Sequence, residues 1–180
     1  MPRLFVALSI PDVVADALLD LQSGVDGARW RTVDHFHTTL AFLGQTDGHG
    51  LDSALEALAA LDASSFDLRL SGVGAFGDKK PRALWAGVEP DDALLHLQAK
   101  VSIALRNAGF DLERRRYMPH VTLAYLKGVR PEAVAQWSSR SGLFTAGPFS
   151  VNAFHLYSSQ LGAQASHYEL EASYALSSSK

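Results

Sequence analysis

The sequence predicts an α+β fold made of two related lobes. Three observations lead there. A seven-residue phrase occurs twice, 83 positions apart: His37-Thr38-Thr39-Leu40-Ala41-Phe42-Leu43 and His120-Val121-Thr122-Leu123-Ala124-Tyr125-Leu126. Segments of strand-like alternation interleave with segments of helical period along the whole chain. No linker rich in Pro, Ser or Gly separates the two copies, so they belong to one unit with sheets inside and helices outside.

Residues 3–9 form an apolar first strand. Pro11 suits a helix start, and Val13, Val14, Ala17, Leu18 and Leu21 give a stripe to about residue 22. Gly24 and Gly27 end it. Residues 37–43 are the first repeat strand, followed by a Gly-rich turn from Gly44 to Gly50. Leu51, Ala54, Leu55, Leu58, Ala59 and Leu61 mark a second helix. Residues 66–73 alternate as a strand, and another runs from Arg82 to Val88. Asp91-Asp92 opens a third helix where acidic side chains complement the helix dipole. Its stripe is Leu94, Leu97, Val101, Ala104 and Leu105, and Gly109 ends it. Residues 120–126 are the second repeat strand. Pro131-Glu132 begins a short helix to about Trp137. Residues 148–157 and 167–175 read as two closing strands.

The 180 residues are 47% apolar and 19% charged, a folded composition. No apolar run reaches the roughly 18–20 residues of a membrane span. The first apolar run ends at Pro11-Asp12 and lacks the shape of a signal peptide, so a cytoplasmic protein is expected. With no cysteine there are no disulfides and no zinc–thiolate sites. A net charge of -3 argues against a general nucleic-acid coat but leaves room for a small basic cleft. Lys79-Lys80-Pro81-Arg82 and Arg114-Arg115-Arg116 are local basic clusters of the kind that also occur in solvated loops.

Alternate side chains of a strand share a face. His37 and Thr39 then point one way, and Leu40 and Phe42 the other. His120 and Thr122 likewise separate from Leu123 and Tyr125. One His-x-Thr in a strand is commonplace, because Thr favours strands and a histidine can be a satisfied half-buried polar group. Two copies with the same flanks are different. Packing alone preserves the apolar face and lets the polar face drift, whereas here the polar pair is kept as strictly as the apolar one. Two imidazoles facing one cleft are an acid and a base for the same reaction. The two threonine hydroxyls can donate to an oxyanion between them. No nucleophile elbow and no carboxylate cluster appears, so metal-free acid–base chemistry on an anion is expected, with a phosphodiester as the best-suited substrate. A metal site would have to use His35 and His37, at i and i+2, with Asp34 nearby. His96 reads as a surface residue of the third helix.

With these residues the chain resembles the 2H phosphoesterase superfamily, and within it the RNA 2′,3′-cyclic phosphodiesterases, also called 2′-5′ RNA ligases. The resemblance runs through Arg3 to Leu8, Phe36 to Gly44, Pro81 to Val88, Tyr117 to Ala124, and the closing stretches Leu156 to Leu161 and Tyr168 to Leu170. It implies a bilobal duplicated fold with pseudo-two-fold symmetry, two mainly antiparallel sheets lining a central cleft, and one domain over 1–180 of two intertwined lobes. It implies hydrolysis of RNA or nucleoside 2′,3′-cyclic phosphate ends to 2′-phosphates, with no cofactor or metal and no obligate protein partner. The residues leave open which histidine is acid and which base. The resemblance assigns His37 as proton donor to the departing 3′ oxygen and His120 as acceptor from water, with Thr39 and Thr122 on the phosphate oxygens.

Three departures stand out. The family often has Arg where this chain has Tyr125, Leu where it has Thr38, and Asn where it has His35. Tyr125 and Thr38 are expected off the catalytic face. Among substrate-binding candidates, Phe76, Trp85 and Tyr117 are aromatics of the kind that stack on bases, Trp85 being favoured as core. Arg115 or Arg116 is expected to neutralise phosphate charge, one of them facing the cleft if the segment is extended. Ser158 and Ser159 are further candidates that turn chemistry explains equally well. The competing functions are 2′-5′ RNA ligation, which is the same step reversed, and a non-catalytic nucleotide-binding module. The absence of a Gly-rich phosphate loop with Lys argues against an energy-coupled ligase.

Overall fold

The computed structural model describes residues 1–161 and 166–178. Among these, nine strands and four helices follow the order β1 (Arg3–Ser9), α1 (Asp12–Leu19), β2 (Ala28–Trp30), β3 (His37–Gln45), α2 (Gly48–Ala59), β4 (Phe66–Phe76), β5 (Ala83–Val88), α3 (Asp92–Asn107), β6 (His120–Leu126), α4 (Pro131–Ser141), β7 (Thr145–Val151), β8 (Ala153–Leu161) and β9 (Ser166–Ala175). A single 3₁₀ turn, Val33–His35, precedes β3.

The strands lie in the order β7-β4-β5-β6-β3-β1-β8-β9, all neighbours antiparallel. Two four-stranded halves meet at the middle, where β3 and β6 share one register pair, Thr38 with Val121. Both motif strands therefore sit side by side at the seam. The halves are assembled from interleaved parts of the chain. β1, β3, β8 and β9 build one, and β4 to β7 the other, while β2 crosses over to pair with β6. The closing segment read as one strand over 148–157 is two strands split at Asn152. β7 pairs with β4 in one half and β8 with β1 in the other, so the chain changes halves there. Local alternation continues through such a crossing and does not reveal it.

α2 and α3 pack together, with α3 against β3, while α4 packs against β4 and α1 lies near β7. The three- and four-residue steps through Leu94, Leu97, Val101 and Leu105 bury one face of α3 completely. Asp91 caps that helix by accepting from the Ala93 and Leu94 amides at 2.8 and 3.3 Å. α1 is shorter than its apolar stripe suggested, ending at Leu19, and Val13 faces solvent. Beyond it the chain is held by α4, where the buried Trp137 indole donates to the Leu21 carbonyl at 2.9 Å. β1 is buried from Leu4 to Leu8 on both faces, as a central strand backed by helices should be.

The strict alternation expected for the repeat fails at the same position in both copies, and β3 carries a second shift that leaves Leu43 unopposed. On β3, Thr39 pairs with Ala7 but Ala41 pairs with Val6, leaving Leu40 unopposed. On β6, Thr122 pairs with Trp85 but Ala124 pairs with Leu84, leaving Leu123 unopposed. Each is a β-bulge. Leu40 and Ala41 are both buried, as are Leu123 and Ala124, and parity resumes one residue late. Phe42 and Tyr125 consequently emerge on the histidine face, 58% and 46% exposed. This corrects the expectation that both lie opposite the histidines. Each bulge also carries the same support: Gln98 Nε2 donates to the Leu40 carbonyl and Gln22 Nε2 to the Leu123 carbonyl, both at 3.3 Å.

Candidate active site

An antiparallel register about the Thr38–Val121 pair sets His37 across from Thr122 and His120 across from Thr39. All four side chains are half-buried, while Thr38 and Val121 between them are fully buried. Each imidazole is tethered to the chain two residues upstream. His120 Nδ1 lies 2.8 Å from the Met118 carbonyl, and His37 bonds the backbone of His35. A ring whose Nδ1–H donates to a carbonyl presents its Nε2 lone pair to the cleft, the form a general base requires.

Aromatic walls hold the rings. Phe5 and Tyr168 flank His37 at centroid distances of 4.9 and 5.5 Å. Phe76 meets His120 edge-on at 4.9 Å, and Trp85 stands 6.4 Å away. Gly74 makes room for Trp85, since a Cβ there would fall 2.3 Å from Cζ2 of the indole. Burial pushes both histidines below their ordinary value. For His37, desolvation and then the charge of Arg31 bring it to about 4. For His120, desolvation dominates and Arg115 adds to it. Both shifts favour the neutral imidazole at pH 7.

The expected substrate contacts fall on one wall. Thr39, Phe76, Arg115, Arg116, Tyr117 and His120 line a common pocket that Phe42 also borders. Both arginines face it, rather than one, because residues 111–119 form no strand and impose no alternation. Arg115 is ion-paired with Glu113 at 3.1 Å. The Tyr117 hydroxyl donates to the Thr39 carbonyl at 3.1 Å, tying the second motif's approach to the first motif's strand, and burial pushes its pKa well above that of an ordinary phenol. Trp85 is half-buried in the wall behind His120. Ser158 is 1% exposed and Ser159 lies beside it on β8, so neither is a turn residue.

His35 does not share a strand face with His37. It sits in the 3₁₀ turn, its Nδ1 2.8 Å from Thr32 Oγ1 and its ring 4.8 Å from Tyr168. Among the described residues no three His, Cys, Asp or Glu side chains converge as metal ligands. Arg31, Tyr168, Phe5, Phe42 and Tyr125 also border the histidine face without a local signal in the sequence. The last two were hidden by the bulges. Arg31 and Tyr168 come from segments brought to the cleft only by strand pairing.

A duplicated cleft with mirrored histidines on adjoining strands defines a paired-histidine phosphoesterase architecture, and comparison with known proteins places it. A family model of the 2′-5′ RNA ligase superfamily matches residues 11–163, and the chain belongs to that family. It is 35% identical over 133 residues to an RNA 2′,3′-cyclic phosphodiesterase of Geobacillus stearothermophilus, covering 70% of this chain and 42% of the relative. It is 32% identical over 148 residues to an RNA 2′,3′-cyclic phosphodiesterase of Aeropyrum pernix, covering 79% of this chain and 84% of the relative. Escherichia coli LigT complexed with 3′-AMP has the same fold, with a TM-score of 0.79 and 22% identity over 98% of this chain and 99% of that one.

Proposed function

We propose that this protein hydrolyses RNA or nucleoside 2′,3′-cyclic phosphate ends to 2′-phosphates, with residues 1–180 acting as one domain of two intertwined lobes. The observation that carries the reading is the seam itself, where two carbonyl-tethered imidazoles and two threonines face one cleft from matching positions. Relatives named RNA 2′,3′-cyclic phosphodiesterase support the substrate class.

In this reading the cyclic phosphate sits between the histidines, and Thr39 and Thr122 donate to its non-bridging oxygens. His120, neutral and tethered through Nδ1, takes a proton from water as that water attacks phosphorus. The 3′ oxygen leaves with a proton from His37. Because burial and Arg31 favour neutral His37, it must gain that proton as the anionic phosphate enters and offsets the fields that lower it. Arg115 and Arg116 lend positive charge to the pocket wall, and Phe76 and Tyr117 form a surface for a base. The residues supply the acid, the base and the phosphate donors without a metal. The substrate is an RNA end or a small cyclic nucleotide, and the protein acts as a cytoplasmic monomer. No helix of the described residues is long and apolar enough to cross a membrane.

The test is to incubate the protein, with EDTA present, with each of the four nucleoside 2′,3′-cyclic phosphates and separate the products. Release of the 2′-phosphate isomer, lost in His37→Ala, is expected. The 3′ isomer would keep the site and overturn the leaving group, and abolition by EDTA would overturn the metal-free reading.

A further inference from the structure

Arg31 lies between β2 and the 3₁₀ turn, pinned beside the bulge of β6. Its amide donates to the Leu123 carbonyl at 2.8 Å, and its own carbonyl accepts from Gln22 at 2.7 Å. Trp30, one residue earlier, turns inward to Trp137, with ring centroids 6.5 Å apart. Arg31 turns the other way, onto the histidine face. There its guanidinium carbon stands 5.2 Å from the Tyr125 ring centroid and 5.9 Å from that of Tyr168. One Nη donates to the Tyr168 hydroxyl at 3.2 Å, and the Tyr168 ring in turn packs against His37.

This cation has no carboxylate partner among the described residues, where the ion pairs are Arg69–Glu89 and Arg115–Glu113. A guanidinium carries five N–H donors in a fixed fork, and the tyrosine hydroxyl engages one. It is half-buried, clamped over two rings, and close enough to His37 for its charge to oppose protonation there. Such a group is set to receive an anion.

We propose that Arg31 is the guanidinium that binds the substrate's phosphate on the His37 side of the cleft. It would take the place of an arginine after the second motif, where this chain has Tyr125. The bulge turns position 125 onto the same face, directly under the Arg31 guanidinium, so a cation at either position reaches one spot. Arg31 also explains how a neutral His37 becomes an acid. A phosphate that neutralises Arg31 removes one of the fields holding His37 deprotonated. This inference rests on the phosphodiester reading of the site.

The test compares wild type with Arg31→Met, Arg31→Lys and Arg31→Met/Tyr125→Arg. Four quantities are measured: turnover of adenosine 2′,3′-cyclic phosphate, calorimetric binding of inorganic phosphate, the NMR titration of His37, and the thermal midpoint. Arg31→Met should lower kcat/KM about 10²–10³-fold, the range for loss of a donor to developing oxyanion charge. It should weaken phosphate binding at least about tenfold, and the NMR titration of His37 should move upward. Arg31→Lys, keeping the stem and charge but not the fork, should fold and fall between the two. The double variant should recover a large part of the loss. Unchanged phosphate affinity in Arg31→Lys and Arg31→Met, with only the thermal midpoint lowered, would overturn the inference and leave Arg31 a packing residue. His37-dependent turnover indifferent to Arg31 would overturn it while sparing the phosphodiesterase reading. If wild type turned over no cyclic phosphate yet bound inorganic phosphate through Arg31, the proposed reaction would fail and the anion site would stand.

Discussion

At the scale of single residues, the cleft half-buries two imidazoles and tethers each through a backbone hydrogen bond. Removing either one, as His37→Ala or His120→Ala, should cost on the order of 10²–10⁴ in turnover with the fold intact. The double variant should cost little more, because the pair serves one step. Near-full activity in either single variant would place the chemistry elsewhere. The lowered histidines also set the pH dependence. The kcat/KM profile reports the free protein, so its bell should be centred below pH 6.5, with one limb near 4. The kcat profile should move to higher pH, since bound phosphate favours the imidazoliums. Identical profiles would contradict that coupling. Stability follows the same sign. Below its unfolded value of about 6.5, His37 binds a proton more readily in the unfolded chain. Stability is therefore full above that pH and is lost as pH falls toward 4, by on the order of 2–3 kcal/mol from this residue. Urea titrations at pH 7.5 and pH 4.5 on wild type and His37→Gln measure it, the variant showing the smaller drop.

At the scale of elements, the two bulges decide which side chains reach the cleft. Both bulge carbonyls are reached by a glutamine, Gln98 from α3 and Gln22 from the segment after α1. Gln98→Leu should cost about 1–3 kcal/mol, the penalty of leaving a buried acceptor without a partner. It should also lower turnover, because Thr39 and Phe42 flank the bulge. A variant of wild-type stability would show that water serves the Leu40 carbonyl equally well. The bulges mark where legibility ends. The doubled His-x-Thr was readable because each residue type is explicit and the spacing is short. The shift of parity at Leu40 and Leu123 was not, because a bulge is set by the partner strand. β2 was missed for a related reason. Three residues carry no pattern, and Ala28–Trp30 is a strand because β6 offers it an edge.

At the scale of the whole molecule, the site exists because interleaved segments close into two halves at one seam. The helices that back the halves hold the seam in place. Trp137 is the largest fully buried side chain, and it joins α4 to the segment that carries Gln22. Trp137→Ala should cost about 3–5 kcal/mol. It should lower the thermal midpoint without moving the kcat/KM optimum, as the tryptophan touches neither histidine. A shifted optimum would mean that the α1–α4 contact positions the cleft directly.

The repeat, the helical stripes and the absence of cysteine were properties of the sequence alone. They sufficed for an α+β fold and for two matching His-x-Thr strands, because each depends on residue type and local period. The tertiary structure decided the rest. It joined β3 to β6, brought Arg31 and Tyr168 to His37, turned Phe42 and Tyr125 onto the histidine face, and placed both Arg115 and Arg116 on the pocket wall. Each of these depends on strand register and chain crossing. Register is set by partners far away in the chain, and no local pattern of side chains encodes it.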